Sequence, residues 1–177
     1  NAGNAAEFVR RHIMTADRQT IVPGAGVNLD YFPYVSYPSE ADRIRFLFLG
    51  RIMKEKGIDE LFTAARRMKQ KYGDRVHFDL VGFFEDEYKE TVDALVREGI
   101  AQFHGFQTEP RPYYASAHCV VLPSYHEGMS SVLLEAAATG RAVIPSDIPG
   151  CREAVDDGKT GLLVQARSAD SLYVAME

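Results

Sequence analysis

Short apolar runs that halt at glycine or proline alternate along this chain with stretches of helical spacing, and this alternation constrains the fold more than any other feature. Residues 45–49 are largely apolar and stop at Gly50, residues 76–81 stop at Gly82, residues 119–122 stop at Pro123 and residues 142–144 stop at Pro145. Between the first two runs, apolar residues at 58, 61, 62, 65, 68 and 72 repeat as one face of a helix does. Tyr88, Val92, Leu95 and Val96 predict a second amphipathic helix, residues 100–104 a strand and residues 112–116 a short helix. Residues 132–139 predict a helix stopped by Gly140, residues 150–155 a short helix and residues 160–164 a last strand. A final helix starts with Ser168 as its N-cap.

Strands rich in Val, Ile and Leu without polar alternation, each followed by a helix, predict a parallel sheet covered on both faces. The expected fold is therefore a Rossmann-like, doubly wound α/β domain. Such sheets bind ligands beyond the carboxyl ends of their strands. That places any chemistry in the loops that begin at Gly50, Gly82, Gly105, Pro123 and Pro145. Residues 1–43 are less regular: a helix near 7–14, a strand at 20–22, then a loop to 42. They are expected to open the single domain 1–177, or to join it to something upstream.

With 177 residues, 46% of them hydrophobic, the chain is long enough for one full core and is no disordered tail. Lys and Arg number 20 against 25 Asp and Glu, a net charge of −5, which argues against nucleic acid as the main partner. Two cysteines make no disulfide framework and suit a reducing compartment. No apolar run approaches the ~18 residues of a membrane span, and no signal peptide is visible. The expected location is the cytoplasm, with contact to the inner face of the membrane left open. A start at Asn1, and a last helix still running at the final residue, predict a piece of a longer protein.

Two loops carry candidate chemistry. Gly50-Arg51-Ile52-Met53-Lys54-Glu55-Lys56-Gly57 puts two glycines and several cations between a strand and a helix N-terminus. Phosphate favours that combination of backbone N–H groups, helix dipole and positive charge. The loop is neither the Gly-x-Gly-x-x-Gly fingerprint nor a P-loop; by composition alone a solvated basic loop fits equally well. In the second loop Glu127 closes a strand exit, Gly128 permits close backbone approach, and the Ser130-Ser131 pair suits a helix N-cap. Glu135 lies about one turn into the following helix between Val132-Leu133-Leu134 and Ala136-Ala137-Ala138. A carboxylate with such neighbours must face solvent, find partners or bind a polar ligand.

Gly50-Arg51 with Lys56-Gly57, followed by Glu127-Gly128 and a second Glu after seven intervening residues, closely resembles the group 1 glycosyltransferases (glycosyltransferase family 4). Glu135-Ala136-Ala137-Ala138-Thr139-Gly140-Arg141, Ile148-Pro149-Gly150-Cys151-Arg152-Glu153 and Asp157-Gly158-Lys159-Thr160-Gly161-Leu162-Leu163-Val164 are similar to bacterial polysaccharide-assembly members, and residues 22–28 resemble the family's approach to its C-terminal domain. The resemblance implies one half of the two-domain GT-B architecture, carrying a nucleotide-sugar donor site. Arg51 and Lys56 would hold the diphosphate, and Glu127 would accept hydrogen bonds from the transferred sugar. The backbone N–H groups of Gly128, Met129, Ser130 and Ser131 would lie beside sugar and phosphates, near Gly50. Glu135 would take the ribose hydroxyls, and Gly82-Phe83 and Gly105-Phe106 would approach the nucleotide. Ser130 stands where many relatives have proline.

The resemblance further implies retaining transfer from a donor, UDP-sugar before GDP- or ADP-sugar, to a saccharide or lipid-linked acceptor. That acceptor would be bound by an N-terminal domain this chain lacks, so the fragment alone is expected to transfer nothing. No cofactor or metal is expected: Glu85-Asp86-Glu87 and Asp156-Asp157 do not form an Asp-x-Asp motif. A nucleotide-sugar-binding module without catalysis, or a GT-B enzyme that hydrolyses or epimerises the sugar nucleotide, remains an alternative. An NAD-dependent oxidoreductase is disfavoured by the missing fingerprint. His126 is expected to be solvated, Cys119 and Cys151 unreactive, and His77, His104 and His118 too scattered for a metal. Phe32, Tyr34 and Tyr37 are expected to be partly exposed, and Arg66 to Lys71 to form the wet face of their helix.

Overall fold

The computed structural model describes residues 2–18, 20, 24, 26–39 and 43–177. Among the described residues five parallel strands form one sheet in the order β3-β2-β1-β4-β5. They are β1 (Ile44–Leu49), β2 (Val76–Val81), β3 (Ala101–Phe103), β4 (Cys119–Leu122) and β5 (Ala142–Pro145). The helices are α1 (Ala2–Arg10), α2 (Ile58–Tyr72), α3 (Lys89–Arg97), α4 (Arg111–Ser116), α5 (Ser131–Thr139) and α6 (Ala169–Met176). Consecutive residues Phe46, Leu47 and Phe48 are all buried. Period-2 side chains in a strand point to opposite faces, so such a run marks a sheet covered on both sides, as the sequence predicted. Strand order reverses direction between β1 and β4, which pair at Phe46 with Cys119 and Leu47 with Val120. The crevice above that switch point is where sheets of this topology take ligands.

Helix α2 buries Ile58, Leu61, Phe62, Ala65 and Met68 of the stripe legible in the sequence, with Ala64 in addition, while Tyr72 is only partly buried. Its basic run is more than a wet face. Arg67 pairs with Asp170 and lies 3.9 Å over the Tyr173 ring, and Lys71 pairs with Glu177, so the run clasps α6. Ser168 caps α6 as expected, accepting a hydrogen bond from Ser171 N at 3.1 Å.

Several expectations are corrected. Residues 160–164 run beside β5 but do not form a strand. Leu162 N and Val164 N donate to Val143 O and Pro145 O, and Val143 N and Asp147 N donate back to Thr160 O and Val164 O, but Pro145 has no N–H to give Leu162 O, so isolated bridges remain. The first helix ends at Arg10, not Met14, because His12 adopts a left-handed conformation (φ 55°). Of the strand expected at 20–22, residues 21 and 22 lie outside the described residues, and Thr20 has no regular structure. Only Arg152–Ala154 of residues 150–155 is helical, as one 3-10 turn. Phe32 is buried, edge-on to Tyr114 at 5.9 Å, whereas Tyr34 and Tyr37 are exposed as expected. Buried Arg141 fastens the same segment through the carbonyls of Val35 and Ser36.

One buried acid interrupts the apolar sheet. Asp79 in β2 is 6% exposed, with His104 Nε2 2.7 Å and His77 Nε2 3.3 Å from its Oδ1, and Arg45 Nη1 3.8 Å from its Oδ2. Burial pulls its pKa upward, but the two imidazoles outweigh burial and hold it below the ordinary Asp value. A carboxyl with a depressed folded pKa adds stability above its unfolded value of about 3.9, and that stability is lost as pH falls through the folded value. Asp79→Asn is therefore expected to lower stability at pH 7 by about 2 kcal/mol and to flatten the acid limb of the stability curve. Urea unfolding of both proteins from pH 7 to pH 3 checks this; parallel curves would refute it.

Candidate functional site

Loops leaving β1 and β4 meet at the switch point. After Gly50 the first loop makes a 3-10 turn, Lys54–Lys56, and enters α2 through Gly57 (φ 69°). A Cβ built on Gly57 would lie 2.0 Å from Pro123 O, so glycine is required where the two loops abut. Tyr125 N donates to Glu55 O at 2.8 Å across the same seam. This brings Lys56 Nζ to 2.6 Å from Glu127 Oε1, with only 17% and 12% of the two side chains exposed.

Arg51 is placed differently. It is exposed, and its Nη1 lies 2.7 Å from Glu85 Oε2 in the loop after β2. Asp86 in that loop accepts from Lys54 N at 3.0 Å, tying the β2 loop to the β1 turn. The strand exits themselves are in backbone contact: Gly82 N donates to Gly105 O at 2.9 Å, and a Cβ on Gly82 would stand 1.7 Å from Gly50 O. Phe83 and Phe106 follow these glycines, exposed by 46% and 65%, edge to face with centroids 6.0 Å apart.

The β4 loop continues over Gly128, whose exposed backbone has nothing within 4 Å of where a Cβ would stand. Met129 sits against Gly24 of the opening segment, and Ser130 N donates to Gly150 O at 3.3 Å. Ser130 occupies the N-cap position of α5 and is buried, but contrary to expectation its side chain makes no cap hydrogen bond. Ser131, exposed, is the first residue of the helix. Glu135, one turn in, is half-buried and accepts from Tyr114 OH at 2.7 Å. Burial raises its pKa above the usual glutamate value despite that donor.

The structure thus joins Lys56 with Glu127, joins Arg51 and Glu135 to partners of their own, and lines up Gly50, Gly82 and Gly105. The partners Glu85 and Tyr114 escaped the sequence reading; neither contact has a local spacing that would reveal it. His126 is exposed, as expected. Cys119 and Cys151 are buried, and burial pushes both thiols up to about 12, which makes them inert. Among the described residues no three His, Cys, Asp or Glu side chains are grouped to hold a metal ion, and no helix is long and apolar enough to cross a membrane.

A family model described as "Glycosyl transferases group 1" matches residues 43–177. The N,N'-diacetylbacillosaminyl-diphospho-undecaprenol alpha-1,3-N-acetylgalactosaminyltransferase of Campylobacter jejuni is 26% identical over 178 residues, covering 94% of this chain and 46% of that protein. Sucrose-phosphate synthase from Thermosynechococcus elongatus superposes with a TM-score of 0.77 at 30% identity, over 98% of this chain and 46% of that one. The Anabaena protein HepE, solved with UDP-glucose, superposes with a TM-score of 0.82 at 20% identity, over 98% of this chain and 50% of that one. The chain spans about half the length of the relatives it matches.

Proposed function

This chain belongs to the group 1 glycosyltransferases, and from that premise we propose that it is the half of such an enzyme that binds a nucleotide-diphosphate sugar, UDP-sugar first. The observation that carries the proposal is the meeting of the β1 and β4 loops at the switch point, with Lys56 and Glu127 in contact at 2.6 Å. HepE, of the same fold, was solved with UDP-glucose, which supports a uridine donor.

Lys56 and Arg51 hold the diphosphate, and the N–H groups of Gly128, Met129 and Ser131 at the N-terminus of α5 face sugar and phosphate, that of Ser130 being taken by Gly150 O, contrary to the expectation for it. Glu127 accepts hydrogen bonds from the sugar, Glu135 from the ribose, and the backbone at Gly82-Phe83 and Gly105-Phe106 flanks the base. As the glycosidic bond to the leaving diphosphate breaks, negative charge gathers on phosphate oxygens. Donors fixed at that point in advance contribute typically about 10²–10³ in rate each. Cations and a helix N-terminus do this without a metal ion, and the transfer retains anomeric configuration. The acceptor, a polysaccharide or glycolipid precursor, is held by a second domain. Without it water is not excluded and no acceptor is positioned, so this chain binds donor and transfers nothing.

The test is calorimetric titration with UDP, GDP, ADP and NAD. One nucleoside diphosphate is expected to bind saturably, and Glu135→Ala to weaken it about tenfold, the loss of one charge-assisted hydrogen bond. Arg51→Ala is expected to weaken it similarly with an unchanged melting temperature, because among the described residues Arg51 makes only an exposed ion pair. Binding of NAD alone, or binding indifferent to both substitutions, would refute the proposal.

A further inference from the structure

Both cations proposed to hold the diphosphate already have a carboxylate partner, and the two pairs are unlike. Arg51–Glu85 lies in water, with 46% and 42% of the side chains exposed. Such a pair contributes ~0–1 kcal/mol and opens readily. Lys56–Glu127 is largely withdrawn from water, and Lys56 is the one side-chain donor to Glu127 among the described residues. An anion that reaches Lys56 therefore competes with this carboxylate for the ammonium. A desolvated carboxylate left without a donor is far more costly than an exposed one.

What arrives with the anion then decides the outcome. A diphosphate esterified to a sugar brings hydroxyl donors that replace Lys56 as partners of Glu127. A free nucleoside diphosphate brings no such hydroxyls, and its terminal phosphate carries one further negative charge. Resting on the donor-site reading above, we propose that Glu127 is an internal competitor for Lys56 that selects the sugar ester over the free nucleoside diphosphate. Binding of the ester exchanges one satisfied arrangement for another, with Lys56 on phosphate and Glu127 on sugar. Binding of the free diphosphate leaves Glu127 without a donor and beside like charge. After transfer the remaining nucleoside diphosphate faces that unpartnered carboxylate, and re-formation of the Lys56–Glu127 pair favours its release. The specificity resides in a repulsive element as much as in an attractive one.

The experiment titrates three pairs, UDP with UDP-glucose, GDP with GDP-mannose and ADP with ADP-glucose, into the wild-type chain, Glu127→Gln and Glu85→Gln. For the nucleotide that binds, Glu127→Gln is expected to tighten the free diphosphate about tenfold or more while the sugar ester gains nothing or weakens. Glu85→Gln is expected to move both ligands by the same factor, under about threefold. Melting temperatures establish that each variant is folded, and Glu127→Ala repeats the measurement should Glu127→Gln not fold. A preference between ester and free diphosphate that Glu127→Gln leaves unchanged overturns this inference while the donor site stands. Failure of all six ligands to bind the wild-type chain overturns the donor site, and the inference with it.

Discussion

Gly57→Ala is expected to lower the stability of this domain by at least about 3 kcal/mol, a fall in melting temperature on the order of 10 °C. Two penalties combine. A left-handed backbone at a non-glycine residue costs about 1–2 kcal/mol by itself. The new Cβ would also stand 2.0 Å from Pro123 O and 2.7 Å from Pro123 C, and backbone cannot swing aside as a flexible side chain does. The β1 and β4 loops would have to part, taking Lys56 from Glu127. Gly99→Ala is the control: φ is +67°, close to that of Gly57, yet nothing lies within 4 Å of its Cβ, so only the conformational penalty applies. Thermal unfolding of the two variants separates the terms. Equal losses would mean that the loops do not abut as described.

Lys56→Met is expected to weaken binding of the nucleoside diphosphate about 100-fold, and it should also destabilise the empty protein. The first effect is the loss of a charge-assisted contact to phosphate from a site with little water. The second arises because Glu127, 12% exposed, loses its donor; removing one partner of a largely desolvated pair is expected to cost about 2 kcal/mol here, less than for a fully buried pair. Adding Glu127→Gln to Lys56→Met removes the stranded charge, so stability should largely return while binding does not. Urea unfolding and calorimetry on the four members of this double-mutant cycle measure both quantities. A double variant no more stable than Lys56→Met would show that the pair contributes nothing in the empty site.

The sheet and its helices were legible because burial on both faces writes an uninterrupted apolar run, as in Phe46-Leu47-Phe48, and burial on one face writes the spacing of Ile58, Leu61, Phe62 and Ala65. Leu162-Leu163-Val164 has the composition of a strand and runs in register beside β5, but the ladder lapses where Pro145, with no N–H, cannot donate to Leu162 O. Phe32 is buried by Tyr114, more than eighty residues away, a contact set by the fold and not by local pattern. At the site, glycines and charged residues in the strand-exit loops marked Arg51, Lys56 and Glu127 as candidates and apolar neighbours marked Glu135, while their roles came from the family resemblance. Their partners were not legible: Lys56 meets Glu127 across 71 residues, Glu135 meets Tyr114 across 21, and Arg51, chemically similar to Lys56, ends in solvent against Glu85. Residue type selects candidates; which side chains become neighbours is decided by the crossing of the strands.

The margins of the sheet also bear on how copies of this chain behave toward one another. An open strand margin is a template on which a second chain can continue the sheet, the usual route to aggregation. Among the described residues one margin is β3, three residues long. The other is β5, where the carbonyls of Val143 and Pro145 are already taken by the N–H groups of Leu162 and Val164. The stretch that failed to become a sixth strand thus serves as a cover. It occupies the acceptors an incoming strand would need, and it offers no regular ladder of its own in exchange, so a sheet of unusually apolar strands ends within its own molecule.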